Sequence, residues 1–70
     1  MEVKIRETDE FIKLGQLLKK AGLVGSGVEA KEVILDGEVK VNGETEERRG
    51  RKLYDGDVVS FDGEEIKVIR

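Results

Sequence analysis

A dense run of positive charge occupies residues 48 to 52, which read Arg-Arg-Gly-Arg-Lys. Residues 13 to 31 carry four lysines against one acidic residue, Glu29. Guanidinium groups donate paired hydrogen bonds to phosphate and stay charged, and phosphate contacts supply most of the sequence-independent affinity for nucleic acids. The pattern therefore predicts a phosphate-binding surface. Its candidate residues are Lys13, Lys19, Lys20, Lys31, Arg48, Arg49, Arg51 and Lys52.

The acidic residues near these cations leave a second interpretation open. The 70-residue chain has a net charge of −3, and Glu46 and Glu47 directly precede Arg48. On this interpretation the basic run is a self-neutralised, solvated loop, because charge runs are often no more than a solvated face. The local clusters of positive charge favour nucleic-acid binding, whereas the negative net charge of the whole chain does not.

Enzymatic chemistry has little support in the sequence. The chain contains no histidine and no cysteine, which removes the usual general base, thiolate metal ligands and the Ser–His and Cys–His nucleophile pairs. Acid–base catalysis by carboxylates needs two of them held at a defined separation, for which a chain of this length has little room. The adjacent pairs Glu46-Glu47 and Glu64-Glu65 are predicted to lie on the solvated surface. We predict a protein that is not an enzyme and needs no cofactor or metal.

Ser26 is the last candidate for a phosphate contact. It lies in Gly25-Ser26-Gly27, just before a predicted helix, whose first N–H groups attract anions. The glycine-rich pattern of a nucleotide-binding loop is incomplete here, and Glu29 would compete with a bound anion. The sequence therefore predicts that Ser26 caps the helix and adds at most a contact to one backbone phosphate, with Lys31 nearby.

Aromatic residues that could stack on bases are scarce. The chain has one tyrosine, two phenylalanines and no tryptophan. Tyr54 is the one aromatic residue expected to be exposed, whereas Phe11 and Phe61 are expected in the core. Proteins that bind single strands stack bases on aromatic side chains, so this composition favours recognition of structured RNA through its shape and backbone.

Two helices are predicted to position the N-terminal cations. After a strand at residues 2 to 6, Thr8 is predicted to cap a helix from Phe11 to Ala21, because apolar residues recur there at three- and four-residue spacing. Ser26 and Glu29 fit a capping box for a second helix that runs to about Leu35.

The C-terminal half alternates apolar and polar residues, as strands do. Strands are predicted at residues 38 to 42, 57 to 61 and 64 to 69, with Val59 opposite Ile66 in a closing hairpin. The expected architecture is a single α+β domain, residues 1–70, with two short N-terminal helices packed on a small sheet of three to five strands. No apolar run is long enough to span a membrane, and a cytoplasmic monomer is expected.

The segment from Gly22 to Val59 resembles a known family. Residues 26 to 43 read Ser-Gly-Val-Glu-Ala-Lys-Glu-Val-Ile-Leu-Asp-Gly-Glu-Val-Lys-Val-Asn-Gly, and residues 53 to 59 read Leu-Tyr-Asp-Gly-Asp-Val-Val. This pattern is similar to that of the S4-type RNA-binding domain, also called the αL motif. With the first helix, the resemblance covers about 50 of the 70 residues, and the whole chain is similar to small stand-alone bacterial members.

The resemblance implies binding of structured RNA, usually ribosomal or transfer RNA, through the two helices and the adjoining strand. The matching positions are Ser26, Ala30, Lys31, Val39, Val41, Asn42, Gly43, Gly56 and Asp57. Most of these positions are expected to be structural on physical grounds, and Lys31 is the one expected to contact phosphate. The chain departs from the family in having Gly27 after the turn serine and an acidic balance, which shifts the expected contacts toward residues 48 to 52.

The sequence thus predicts a non-catalytic module that binds structured RNA, with no membrane partner. One alternative is a protein-interaction module that docks on a ribosomal or RNA-modifying protein through a sheet edge. A third reading is a regulatory subunit for an RNA-modifying enzyme. Backbone binding weakens log-linearly with salt, which separates the first reading from the others.

Overall fold

The computed structural model describes all 70 residues and confirms the predicted α+β class with two short helices and a small sheet. The strands are β1 (Glu2–Lys4), β2 (Ile12–Lys13), β3 (Val39–Val41), β4 (Glu44–Thr45), β5 (Lys52–Leu53), β6 (Val58–Phe61) and β7 (Glu64–Ile69), and the helices are α1 (Leu14–Lys20) and α2 (Gly27–Leu35). Five strands form one sheet in the order β1-β7-β6-β3-β4, and β2 pairs with β5 in a separate ladder. Within the sheet only β1 and β7 run parallel.

The sheet follows the alternation of the sequence. The hairpin of β6 and β7 places Val59 opposite Ile66, as predicted. Asn42 and Gly43 adopt φ angles of 52° and 85° in the turn after β3, the left-handed conformation that tight hairpin turns require. The Asn42 side chain also accepts a hydrogen bond from the Val58 backbone N–H at 2.9 Å, which ties the turn to β6.

One apolar cluster joins the helices to the sheet. The helices contribute Leu14, Leu17, Leu18, Ala30 and Ile34, each at most 1% exposed. The strands contribute their inward-facing residues. Apolar residues recur every 3.6 positions in the helices and every second position in the strands, and both sets face the same core. The other buried members are Val3, Ile5, Val24, Val39, Val41, Leu53, Val59, Ile66 and Val68.

The second helix forms as its capping residues predict. Ser26 Oγ accepts a hydrogen bond from the Glu29 N–H at 3.1 Å, and Glu29 Oε1 accepts one from the Gly25 N–H at 2.7 Å. The helix ends at Leu35, and Gly37 follows with a φ of 77°. Neither helix is long and apolar enough to cross a membrane.

The start of the first helix was predicted wrongly. The helix begins at Leu14 with Lys13 as its N-cap, rather than at Phe11 with Thr8 as the cap. Ile12 and Lys13 are extended and pair with β5, opposite Leu53 and Lys52. Residues 12 and 13 pair with a strand about 40 residues further along the chain, and this pairing prevents the helix that the cap residue favours. Rules for helix formation use only neighbouring residues, so they cannot predict such a pairing.

The extended conformation of residues 11 to 13 changes the place of Phe11. Its side chain is half-buried and does not belong to the core cluster, rather than lying on the buried face of a helix. The Lys52 Nζ lies 4.9 Å from its ring centroid, and the Tyr54 ring lies 6.1 Å away at 57°. Phe61 is also half-buried, while Tyr54 is exposed as predicted.

Candidate nucleic-acid interface

The basic run at residues 48 to 52 is anchored by one buried carboxylate. Glu46 is 6% exposed and accepts hydrogen bonds from the Arg48 backbone N–H, Nε and Nη2 at 3.0 to 3.1 Å. Arg51 Nη1 donates a further bond at 3.0 Å. The predicted surface position of Glu46 is therefore wrong, whereas residues 47 to 50 are exposed.

These bonds keep Glu46 ionised although it is buried. The hydrogen bond from the Arg48 side chain is the largest influence, and together with the bonds from Arg51 and the Arg48 backbone it outweighs desolvation and lowers the pKa of Glu46 to about 2. The same carboxylate raises the pKa of Arg48. Burying a charge is tolerated when each of its lone pairs meets a donor, and here two arginines serve that purpose.

The loop backbone then closes on the start of α1. The Leu14 and Gly15 N–H groups donate to the carbonyl oxygens of Arg51 and Arg49 at 2.9 and 3.0 Å. These are two of the N–H groups that the first turn of a helix leaves without an internal partner. A Cβ on Gly15 would lie 3.7 Å from the Arg49 Cβ and 4.0 Å from the Ala30 Cβ, so the space here admits a methyl group, while a longer side chain would push the loop from the helices.

This closure creates a groove between α1, α2 and the loop, which we call the cationic groove. It encloses about 320 Å³. Its lining residues are Lys13, Gly15, Gln16, Lys19, Gly27, Ala30, Arg49 and Gly50. Three of them are cations and none is acidic. The side chains of Lys13, Lys19 and Arg49 make no hydrogen bond or ion pair within the protein, so all three are free to bind an anion.

The start of α2 contributes to the same groove. The N–H groups of Gly27 and Val28 have no acceptor in the protein, and Gly27 lines the groove. Unpaired N–H groups in the first helical turn carry partial positive charge. Ser26 itself serves as the N-cap, and its Oγ already accepts a hydrogen bond from the Glu29 N–H.

The structure separates the remaining predicted contacts into different roles. Arg48 and Arg51 are paired with Glu46, and together with Gly50 and Lys52 they line an adjacent shallow surface. Lys20 Nζ donates to the Lys4 carbonyl oxygen at 2.8 Å. Lys31 is exposed on α2 and lines no groove. Sequence reasoning did not identify Gly15 and Gln16. The contribution of Gly15 depends on its contact with Arg49, and Gln16 lines the groove only because α1 begins at Leu14.

Comparison with known proteins identifies relatives of this chain. The family model described as the S4 domain matches residues 3–69. A Bacillus subtilis protein named "Probable ribosome maturation protein RlbA" is 54% identical over 54 residues, which cover 77% of this chain and 76% of the relative. An Escherichia coli protein named "Putative RNA-binding protein YbcJ" is 41% identical over 58 residues, which cover 83% of each chain.

A solved structure shows the same fold. The solution structure of YbcJ from Escherichia coli, described as revealing an αL motif involved in RNA binding, superposes with a TM-score of 0.75 and 35% sequence identity. The superposition covers 99% of this chain and 86% of that one. Two helices against a small sheet, with the Asn42-Gly43 turn after β3, are therefore the αL arrangement. On the family match, the close relatives and the common fold, the chain belongs to the S4 domain family.

Proposed function

We propose that this protein is a non-catalytic module that binds structured RNA, ribosomal or transfer RNA, mainly through backbone phosphates. The carrying observation is the cationic groove, where Lys13, Lys19 and Arg49 converge from separate segments with no carboxylate in the lining and no internal partner. All three side chains are exposed, and cations clustered without internal partners along a concave surface attract anions. A duplex backbone presents such anions at regular intervals.

The comparisons support the choice of RNA as the partner. The name of one relative refers to ribosome maturation and that of another to RNA binding. The solved structure is described as revealing an αL motif involved in RNA binding. The scarcity of exposed aromatic side chains favours structured RNA over single strands. A monomer acting in the cytoplasm is the simplest form of this proposal.

Protein docking through a sheet edge has less support. The two edge strands of the sheet are β1 and β4, which have three and two residues. Such short edges offer few main-chain hydrogen bonds to an added strand. The acidic net charge remains compatible with RNA binding because none of the carboxylates of Asp62, Glu64 and Glu65 in the β6–β7 hairpin lines the groove.

The test is fluorescence anisotropy against ribosomal and transfer RNA pools, measured separately from about 50 to 300 mM salt. We expect a log–log slope of roughly −3 to −5, since each phosphate contact adds about 0.7 to 0.9. The variant Lys13→Gln/Lys19→Gln/Arg49→Gln should reduce the magnitude of the slope by about 2 to 3.

A matched control removes the same charge from the sheet. Lys4, Lys40 and Lys67 are exposed strand residues that do not line the cationic groove. Lys4→Gln/Lys40→Gln/Lys67→Gln should leave the slope nearly unchanged. Equal losses in the two triple variants would mean that binding follows net charge rather than the groove, and absence of binding at the lowest salt would overturn RNA binding itself.

A further inference from the structure

A second groove lies along α1 and involves the segment that leads into the helix. We call it the aromatic groove. It encloses about 410 Å³, within the range of small-ligand sites. Its lining residues are Ile5, Arg6, Asp9, Phe11, Ile12, Gln16, Lys19 and Lys20. Lys19 and Gln16 line both grooves, so a ligand that spans them would pass these two side chains.

The apolar part of the aromatic groove combines two residues that the core supports with one ring at the surface. Ile5 is 2% exposed and belongs to the core, Ile12 packs against the core, and Phe11 is half-buried outside it. Lys52 and Tyr54 contact the Phe11 ring but do not line the groove, so they support the ring from outside it. A half-exposed ring held in this way offers a fixed surface for stacking.

The polar part carries both donors and an acceptor. Arg6 Nε and Asp9 Oδ2 lie 3.5 Å apart, a loose pair at the surface. Gln16 Oε1 already accepts from the Lys13 backbone N–H, which leaves the Gln16 amide NH₂ free to donate. Lys19 and Lys20 add positive charge at the same groove.

One class of ligand matches this combination. A nucleotide has a planar apolar face, an edge with donors and acceptors, and an anionic phosphate. Sequence-dependent recognition of RNA commonly uses bases splayed out of loops and bulges and stacked on aromatic or guanidinium planes. A purely lipidic or aliphatic ligand would leave the Lys19 side chain and the Gln16 amide NH₂ without partners.

We infer that the aromatic groove accepts one unpaired nucleobase of the RNA whose backbone lies in the cationic groove. This inference rests on the proposed function. Lys19 contacts the phosphate between the two grooves, Phe11 provides the stacking face, and Asp9 and Gln16 meet the edge of the base. The protein therefore prefers a structured RNA with a bulged or looped nucleotide over an uninterrupted helix.

The test compares two RNA hairpins by anisotropy, one with a single bulged 2-aminopurine and one fully paired around the same 2-aminopurine. We expect the bulged hairpin to bind about 5- to 150-fold more tightly, the range of one base–aromatic stacking contact, and its fluorescence to fall on binding. Phe11→Leu keeps apolar volume but removes the ring, so it should abolish the preference without changing the salt slope.

Phe61→Leu is the matched control, because Phe61 is also half-buried but does not line the aromatic groove. It should retain the preference. A measurement that needs no variant is the amide NMR spectrum of the unmodified protein titrated with adenosine and uridine monophosphates, where shifts should centre on Ile5, Phe11, Ile12 and Gln16.

The outcomes separate the two proposals. Equal binding of both hairpins, a preference that survives Phe11→Leu, or nucleotide shifts confined to other residues would overturn the base site while RNA binding stands. Failure of either hairpin to bind at low salt would overturn the proposed function and the base site with it.

Discussion

The two grooves that flank α1 share Lys19 and Gln16 but are built in different ways. The cationic groove depends on a loop from the C-terminal half, which closes on α1 through the Arg49 and Arg51 carbonyl oxygens. The aromatic groove is formed by residues close in sequence to α1, from Ile5 to Lys20. One is therefore sensitive to changes far along the chain, and the other to changes next to the helix.

The grooves also differ in chemistry. The cationic groove has three free cations and a single hydrophobic side chain, Ala30, which suits a repeating backbone of phosphates. The aromatic groove mixes three apolar side chains with charges of both signs, which suits a group with a specific shape. The two sides of α1 thus present surfaces of different chemistry. A variant on one side should therefore change the ligand binding of that groove and leave the other groove unchanged.

The largest expected effect comes from Glu46, which supports only the cationic groove. Glu46→Gln leaves two arginines without their buried partner and loosens the loop. The Arg48 side chain is 75% exposed and that of Arg51 32% exposed, so the loss should be smaller than the cost of about 3 to 5 kcal/mol for a fully buried pair, and we expect about 2 kcal/mol in the free energy of unfolding. In a domain of this size that lowers the Tm by about 10 °C, which calorimetry would measure.

Glu47→Gln provides the control, since Glu47 is adjacent and exposed. It removes the same charge and should leave the Tm unchanged. The comparison of grooves predicts that Glu46→Gln weakens RNA binding but preserves the NMR shifts that nucleotides induce at Ile5 and Phe11. Equal melting temperatures for the two variants would show that the Glu46 bonds contribute nothing to stability.

The same carboxylate makes stability depend on pH. Its pKa of about 2 in the folded protein lies below the usual 4.5, so its contribution is fully present above about pH 5 and is lost as the pH falls toward 2. The Tm difference between the wild type and Glu46→Gln should therefore be constant from about pH 5 to 8 and shrink below pH 4.5. A difference that grows on acidification would contradict the assignment.

A smaller effect is expected from two adjacent arginines with different partners. Arg49 is free in the cationic groove, whereas Arg48 is bound to Glu46. Arg49→Ala should weaken RNA binding about 10-fold, as a charge-assisted bond does, and reduce the salt slope by about 0.7 to 0.9 with no change in Tm. Arg48→Ala should lower the Tm and change the slope less. The reverse pattern would place the RNA contact on the adjacent shallow surface.

The smallest effect is expected at Gly15. A Cβ there would lie 3.6 Å from the Arg49 carbonyl oxygen, an ordinary contact. Gly15→Ala should therefore fold normally and raise the free energy of unfolding by about 0.5 kcal/mol, through the better helix propensity of alanine. Gly15→Leu should push the loop away and weaken RNA binding while leaving the nucleotide shifts in the aromatic groove. Unchanged RNA affinity in Gly15→Leu would show that the loop position does not matter.

The regular elements were largely predictable. Capping by Ser26, the end of α2 near Leu35, the Asn42-Gly43 turn and the pairing of Val59 with Ile66 each depend on residues close in sequence, and each is confirmed. The errors at the start of α1 and at Glu46 have different causes. At α1 a long-range strand pairing with Lys52 and Leu53 replaces the local helix preference. At Glu46 the partners Arg48 and Arg51 are close in sequence, but the folded loop buries the carboxylate, which the run of charged residues did not indicate.

The candidate site shows the same division. Composition and periodicity were enough to exclude histidine and cysteine chemistry, to predict an α+β fold and to identify the basic residues, because these depend on residue type and on local spacing. Which cations are free was decided by the tertiary structure. Arg48, Arg49 and Arg51 look alike in sequence, but the buried carboxylate of Glu46 binds two of them and the close approach at Gly15 places the third beside Lys13 and Lys19. Whether an arginine of this loop pairs with Glu46 or lines the groove depends on the loop conformation, which the hydrogen bonds from the Leu14 and Gly15 N–H groups to the Arg51 and Arg49 carbonyl oxygens hold in place. Those contacts join residues far apart in sequence, and the order of residues along the chain does not reveal them.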